Sequence, residues 1–212
     1  MIEPVRVLVA DPPWLFGDPL PGVARGAVKH YPCMSLAEIC LFPLPPLLDD
    51  AWLVLWRVGA MQAEALAVAR AWGFRPPDSE LVWIKTTDDG RGVRIGMGRT
   101  VRNAHEVALV CRRGRPARKS AAVKSVFFAP RGQHSAKPDR FYELVEALSD
   151  GPYAELFARR ERPGWRCYGN ELAIADPSVD RIDRELAKFG GTCPTCREDL
   201  EHGTCPSCSP AK

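Results

Sequence analysis

Six short runs of branched and aromatic residues, at 5–10, 52–58, 81–85, 107–111, 123–129 and 154–158, punctuate this chain. They are apolar at most positions, as strands buried on both faces are, so they predict a mostly parallel sheet. Between them lie segments with helical signals. Ser35 and Glu38 make a Ser-x-x-Glu capping box opening a helix over 35–39, and an alanine-rich helix over 61–72 stops at Gly73. A third, over 138–148, carries Pro138 in its first turn. A last helix, 179–189, follows Asp176-Pro177-Ser178 and ends at Gly190-Gly191, dividing a domain of residues 1–189 from a tail of residues 190–212. Strand and helix alternation predicts an α/β layer fold whose ligands bind at the carboxyl ends of the strands.

Composition adds little until charge is divided along the chain. The 212 residues, 46% hydrophobic, suit one full-sized core, and no run of eighteen apolar residues or secretory leader pattern stands in the sequence. A cytoplasmic protein with reduced thiols is the expectation. The net charge is +3, yet thirteen Lys or Arg against two acids fall between Arg91 and Arg140, a local +11 that leaves −8 for the rest. Arg112, Arg113, Arg115, Arg118 and Lys119 form its densest part, with Arg99 and Arg102 upstream beside the glycine-rich, mobile-looking segment 86–98. Such a cluster suits nucleic-acid phosphates; the plainer reading is a solubilising loop.

Chemistry is expected just after strands. Asp11-Pro12-Pro13-Trp14 stands where the first strand runs out. Two prolines lack N–H groups and fix φ, which predicts an extended backbone with unpaired outward carbonyls. Those oxygens and the Asp11 carboxylate suit the two hydrogens of an exocyclic amine, with the Trp14 indole stacked on the attached ring. The same tetrapeptide also suits a plain turn with Trp14 in the core. Lys137, in His134-Ser135-Ala136-Lys137-Pro138, stands at a helix start, where an ammonium beside free N–H groups suits a carboxylate or phosphate. An exposed lysine beside a helix cap is the alternative. Glu155-Leu156-Phe157-Ala158-Arg159-Arg160 and Gly164 to Glu171 place polar groups at two adjacent strand ends, where Asn170 and Glu171 can hold ribose hydroxyls. No Gly-x-Gly-x-x-Gly is present. His105 and Glu106 read as loop-to-strand architecture rather than an acid–base pair.

These segments, in this order, resemble the MT-A 70 kDa family of adenine N6-methyltransferases. The resemblance extends through His30-Tyr31-Pro32, Met34-Ser35-Leu36, Leu55-Trp56, Trp72-Gly73-Phe74, Val82-Trp83-Ile84-Lys85 and Arg102-Asn103-Ala104-His105-Glu106, and covers about Val5 to Glu171. It implies an S-adenosylmethionine-dependent enzyme on a Rossmann-like methyltransferase sheet in permuted motif order. Asp11, Pro12, Pro13 and Trp14 would then hold and activate the adenine amine, with Asp11 also facing the cofactor. Lys137 would meet the cofactor's carboxylate, Arg159 its ribose, and Asn170 with Glu171 its ribose or adenine edges. After Arg159 the chain reads Arg160-Glu161-Arg162-Pro163, where members acting on messenger RNA carry a Pro-His-Asn-like segment. The bacterial and phage branch reads closer, and on that likeness DNA is expected over RNA. Family members can pair with a paralogue, so a homodimer or a partner subunit is admitted.

Cys193, Cys196, Cys205 and Cys208 form two C-x₂-C pairs eight residues apart. Four thiolates so spaced can surround one structural zinc, the alternative being disulfides, and about twenty residues need such a clamp to fold. His202 reads as a surface residue. Three functions are therefore in view: an adenine methyltransferase acting on DNA or RNA, a non-catalytic nucleic-acid adaptor on the same fold, and a methyltransferase of protein or small-molecule amines, which the +11 segment disfavours.

Overall fold

A computed structural model describes residues 3–16, 33–96, 100–132 and 136–170, together with 172, 182, 184 and 185. Its strands are β1 (Val5–Ala10), β2 (Leu47–Arg57), β3 (Ser79–Thr86), β4 (His105–Arg113), β5 (Val126–Pro130), β6 (Tyr153–Leu156) and β7 (Trp165–Tyr168). The helices are α1 (Leu36–Leu41), α2 (Gln62–Ala71) and α3 (Asp139–Leu148). All seven strands join one sheet in the order β5-β3-β4-β2-β1-β6-β7. Four pairings are parallel; β4 alone runs antiparallel, to both β2 and β3. This mixed α/β sheet is consistent with the Rossmann-like methyltransferase fold that the resemblance implies.

Alternation along the strands assigns side chains to two faces. Leu8, Ala10, Leu53 and Leu55 join Ile39 of α1 and Ala65, Val68 and Ala69 of α2 in one cluster. Val7, Val9, Val54 and Trp56 join Phe141, Tyr142, Leu144, Val145 and Leu148 of α3 in the other. Those α3 residues recur at helical spacing, so the helix buries one stripe against the sheet. Burying a side chain such as Phe141 or Leu53 contributes roughly 1.5–3 kcal/mol. The Ser35–Glu38 capping box forms in both directions and fixes where α1 starts.

Several expectations shift at element ends. β2 begins five residues before the apolar run at 52, because Leu47 pairs with Val5 across an irregularity in register. β6 stops at Leu156, short of 158, because Phe157 takes a positive φ of 62° and turns the backbone. Of the expected helix 179–189, Ile182, Arg184 and Glu185 are described and helical, with Ile182 buried in the α1–α2 cluster. The boundary at 189–190 and the cysteine tail lie outside the described residues. No helix among the described residues is long and apolar enough to cross a membrane.

Candidate active site

Register brings four strand ends level. Ala10 pairs with Leu55 and with Leu156, and Leu156 with Tyr168, so the chain leaves β1, β2, β6 and β7 at one edge of the sheet. Asp11, Phe157 and Gly169 are the next residues on three of these strands. The antiparallel β4 enters at that same edge, bringing Glu106 opposite Trp83 of β3. Lys137 arrives from the segment between β5 and α3.

Together they form a chain of alternating charge. Lys137 Nζ lies 2.7 Å from Asp11 Oδ2 and 3.1 Å from Glu106 Oε2, and Lys85 Nζ lies 2.6 Å from Glu106 Oε1. The Lys137 side chain is only 9% exposed, and its ammonium stands 4.8 Å from the centre of the Trp56 ring. Burial disfavours that charge, but Asp11 and Glu106 outweigh it and hold the ammonium above the ordinary lysine range. At Glu106 burial likewise works against ionisation, and Lys137 with Lys85 prevails, keeping the carboxyl below its ordinary value. Two cations and two anions leave the group neutral.

A cleft beside this group is lined by Asp11, Lys137, Tyr142, Glu155, Phe157, Arg159 and Arg160, among others. Glu155, on β6, is 5% exposed and accepts a hydrogen bond from the Tyr142 hydroxyl at 2.8 Å. Burial pushes its carboxyl up to about 7; the Tyr142 hydrogen bond opposes this and the Asp11 charge reinforces it. Arg159 is half-buried on the cleft wall, and Asn170 stands two residues past the end of β7. Gly169 allows their strands to touch: a Cβ there would lie 1.8 Å from the Ala158 carbonyl oxygen. Ala158 N–H donates to Tyr168 O across that contact, at 2.9 Å.

The tetrapeptide departs from expectation in two ways. Trp14 is 4% exposed, and its indole N–H donates to Trp56 O at 3.1 Å, so it packs in the core rather than offering a face to a ring. Neither proline carbonyl stands unpaired. Pro12 O accepts from Trp14 N–H and Pro13 O from Met34 N–H, both at 2.8 Å, because the segment pairs as a short bridge with Met34. Each oxygen retains a second lone pair. The exposed apolar residues that follow are Leu15 and Phe16, at 48% and 37%.

The basic cluster sits elsewhere. Arg113 of β4 pairs with Ala51, at the start of the stretch that ends opposite Val107 and the site. Seven residues of strand, roughly 23 Å, separate it from Glu106. Lys119 N–H likewise bonds Leu148 O, at the far end of α3 from Asp139. Arg112 pairs with Asp78 at 3.2 Å, Arg113 with Asp49 at 3.9 Å and Lys119 with Asp150 at 2.8 Å, so local acids offset much of the charge. Arg115 and Arg118 are exposed on the same segment, whereas exposed Arg102 precedes β4 at the site edge. Arg99, Glu171, His134, Cys193, Cys196, Cys205 and Cys208 lie outside the described residues. Among the described residues no group of three or more His, Cys, Asp or Glu could hold a metal ion.

Sequence reasoning missed Glu106, Lys85, Glu155 and Tyr142 as site residues. Glu106 and Lys85 stand inside quoted motifs, Asn-Ala-His-Glu and Val-Trp-Ile-Lys, and only the antiparallel β4 reveals that they meet. A lone acid within the apolar run at 154–158 was the signal for Glu155.

Comparison with known proteins identifies the family. The MT-A70 family model matches residues 5–171. The N(6)-adenosine-methyltransferase MT-A70-like protein of Drosophila melanogaster is 32% identical over 181 residues, covering 82% of this chain and 28% of that protein. The N(6)-adenosine-methyltransferase catalytic subunit METTL3 of Homo sapiens is also 32% identical over 181 residues, with 82% and 30% covered. The type II methyltransferase M.MunI of a Mycoplasma species is 29% identical over 204 residues, covering 84% of this chain and 83% of that protein. The chain thus spans under a third of the eukaryotic relatives and most of the bacterial one. With a matched model reaching from the first strand past the last, this chain belongs to the MT-A70 family.

Proposed function

We propose that the chain transfers a methyl group from S-adenosylmethionine to the N6 amine of adenine in nucleic acid, with DNA favoured over RNA. The observation that carries this reading is the neutral Asp11–Lys137–Glu106–Lys85 group beside a cleft walled by Glu155 and Arg159. The cleft's donor set fits the cofactor: a buried ammonium, Lys137, suits its carboxylate, and a half-buried guanidinium, Arg159, suits its hydroxyls. S-adenosylmethionine, when bound, supplies an electrophilic methyl group on a sulfonium. Lys137, Arg159 and Asn170 would hold it, with Glu171 following in sequence.

Asp11 does the work on the amine. Its Oδ2 is committed to Lys137, which leaves Oδ1 to accept one amine hydrogen, while the second lone pair of Pro12 O can accept the other. Accepting both draws the nitrogen lone pair out of ring conjugation and toward the methyl group, so catalysis comes from fixed dipoles and alignment. Trp14 serves by fixing the segment to Trp56 O, and the exposed Phe16, two residues on, would offer an aromatic surface to a base. A base in a duplex must be extruded to reach the cleft.

The preference for DNA is supported by the type II methyltransferase match, which covers 83% of that protein. Arg102, near the site, and the distant Arg112, Arg113, Arg115, Arg118 and Lys119 are proposed as backbone contacts, with Arg99 beside the first. For the tail we propose a zinc ribbon on Cys193, Cys196, Cys205 and Cys208, supported by their spacing alone. The deciding experiment treats DNA and RNA with the protein and S-adenosylmethionine, digests both to nucleosides and looks for N6-methyladenine. Its appearance in DNA supports the reading; its absence from both polymers would leave a binding-only adaptor. Native mass spectrometry showing intact disulfides instead of one zinc would reject the ribbon.

A further inference from the structure

We propose that Asp139 is a positioning residue that latches the 157–164 loop onto α3 and so holds one wall of the cofactor cleft. The inference rests on the methyltransferase reading and deepens it. The loop leaves β6 through Phe157 at φ 62° and enters β7 after Gly164 at φ 79°, so both of its ends are sharply turned. Phe157 is buried in the core, its ring 4.7 Å from that of Phe42, and Ala158 is buried after it. Beyond them Arg159, Arg160, Glu161, Arg162 and Pro163 offer no large apolar anchor, and the hold on this stretch is electrostatic. Arg160 and Arg162 both donate to Asp139 Oδ1, Arg162 at 2.6 Å.

Asp139 is the first residue of α3, where the helix dipole also favours a carboxylate. Above all the Arg162 hydrogen bond holds its carboxyl below the ordinary range, so the latch stays charged through neutral pH. Arg162, with a side chain 17% exposed, lays its guanidinium 3.6 Å from the centre of the Tyr142 ring. A guanidinium held between an aromatic face and a carboxylate loses little freedom on pairing and is shielded from salt on one side. Tyr142 in turn donates to Glu155 inside the cleft, and Arg160 lines it. Asp139 thereby reaches the cleft by two routes without touching it.

Hydrogen exchange and calorimetry on the full chain test this. Asp139→Asn keeps the side chain's size and removes its charge. It should speed exchange of the 157–164 amides about tenfold without affecting β1 or β2, and should weaken S-adenosylmethionine binding about tenfold. Turnover at saturating cofactor should stay within about twofold, and Asp139→Glu should restore most of the affinity. Arg160→Ala, at an exposed position, should reproduce part of the effect with no change in melting temperature. Unchanged exchange in the loop, or affinity lost only in step with melting temperature, overturns the latch. Wild-type protein that binds no S-adenosylmethionine overturns the methyltransferase reading, and the latch's role in cofactor binding falls with it, whatever the exchange shows.

Discussion

Lys137 Nζ and Asp11 Oδ2 meet at 2.7 Å, joining the residue that follows the first strand to one that follows the fifth. On the function proposed above, the contact puts the amine acceptor and the anion receptor on the same pair of side chains. Lys137 has three donors, and Asp11 and Glu106 take two. One remains for a cofactor carboxylate without breaking the group.

Asp11→Asn should therefore separate chemistry from binding. The amide keeps the shape and loses the negative acceptor, so the methylation rate constant should fall about a hundredfold or more. Cofactor affinity, measured by calorimetry, should change by less than about threefold. Near-normal turnover would remove Asp11 from the reaction.

Lys137→Met should do the reverse. Loss of the ammonium removes the anion receptor and leaves Asp11 and Glu106 facing each other across the gap. Affinity for S-adenosylmethionine should drop by about tenfold or more. The fold should lose about 1–2 kcal/mol, less than for a fully buried pair because both carboxylates keep some contact with solvent. An unaltered binding isotherm would return Lys137 to a structural role.

Glu155 makes stability depend on pH in a defined window. Its folded carboxyl titrates at about 7, against an ordinary value of 4.5, so the folded state keeps a proton that the unfolded chain releases. The contribution is complete below pH 4.5 and is lost as pH rises through about 7. Glu155→Gln removes the titration. Denaturant curves should show the variant gaining on wild type between pH 5 and pH 8, by at most about 3 kcal/mol. A difference that does not vary with pH would contradict the burial argument.

Gly169→Ala places a methyl group 1.8 Å from the Ala158 carbonyl oxygen and 2.9 Å from its nitrogen. Both neighbours are backbone, so neither can swing aside. We expect a loss of about 2–4 kcal/mol, together with weaker cofactor binding as Arg159 and Asn170 separate. Thermal melting and calorimetry read the two effects independently.

Replacing Arg112, Arg113 and Arg118 with alanine should matter only for long substrates. Arg113 stands roughly 23 Å from Glu106 along the strand, a span of about seven base pairs. Methylation of a short oligonucleotide centred on one adenine should be unaffected, while affinity for a long duplex should fall and lose part of its salt dependence. Equal loss on both lengths would place the cluster at the target base.

The strands, the sheet class and the site edge were legible because runs such as 5–10 end abruptly in a residue set unsuited to a strand interior. Direction was not. Nothing local in 105–113 says that β4 runs antiparallel, yet that reversal carries Glu106 into the site and Arg112 and Arg113 away from it. Trp14 misled for a similar reason. Its burial depends on Met34, twenty residues on, pairing beside it. The Asp139 latch was equally hidden, since Asp139 and Arg162 meet only after α3 and β6 have folded back on each other.

β1 lies inside the sheet, with β2 on one side and β6 on the other. Arg6 Nε reaches Gly151 O across 145 positions of sequence. On the ribosome, the β6-facing edge of β1 must therefore stand unpaired until nearly all of the family-matched region 5–171 has emerged, an open template for wrong partners. Chains truncated ahead of β6 should aggregate rather than persist as half-sheets, so a separately produced N-terminal fragment would lack both the Glu155 and Arg159 wall of the cleft and the means to stay soluble.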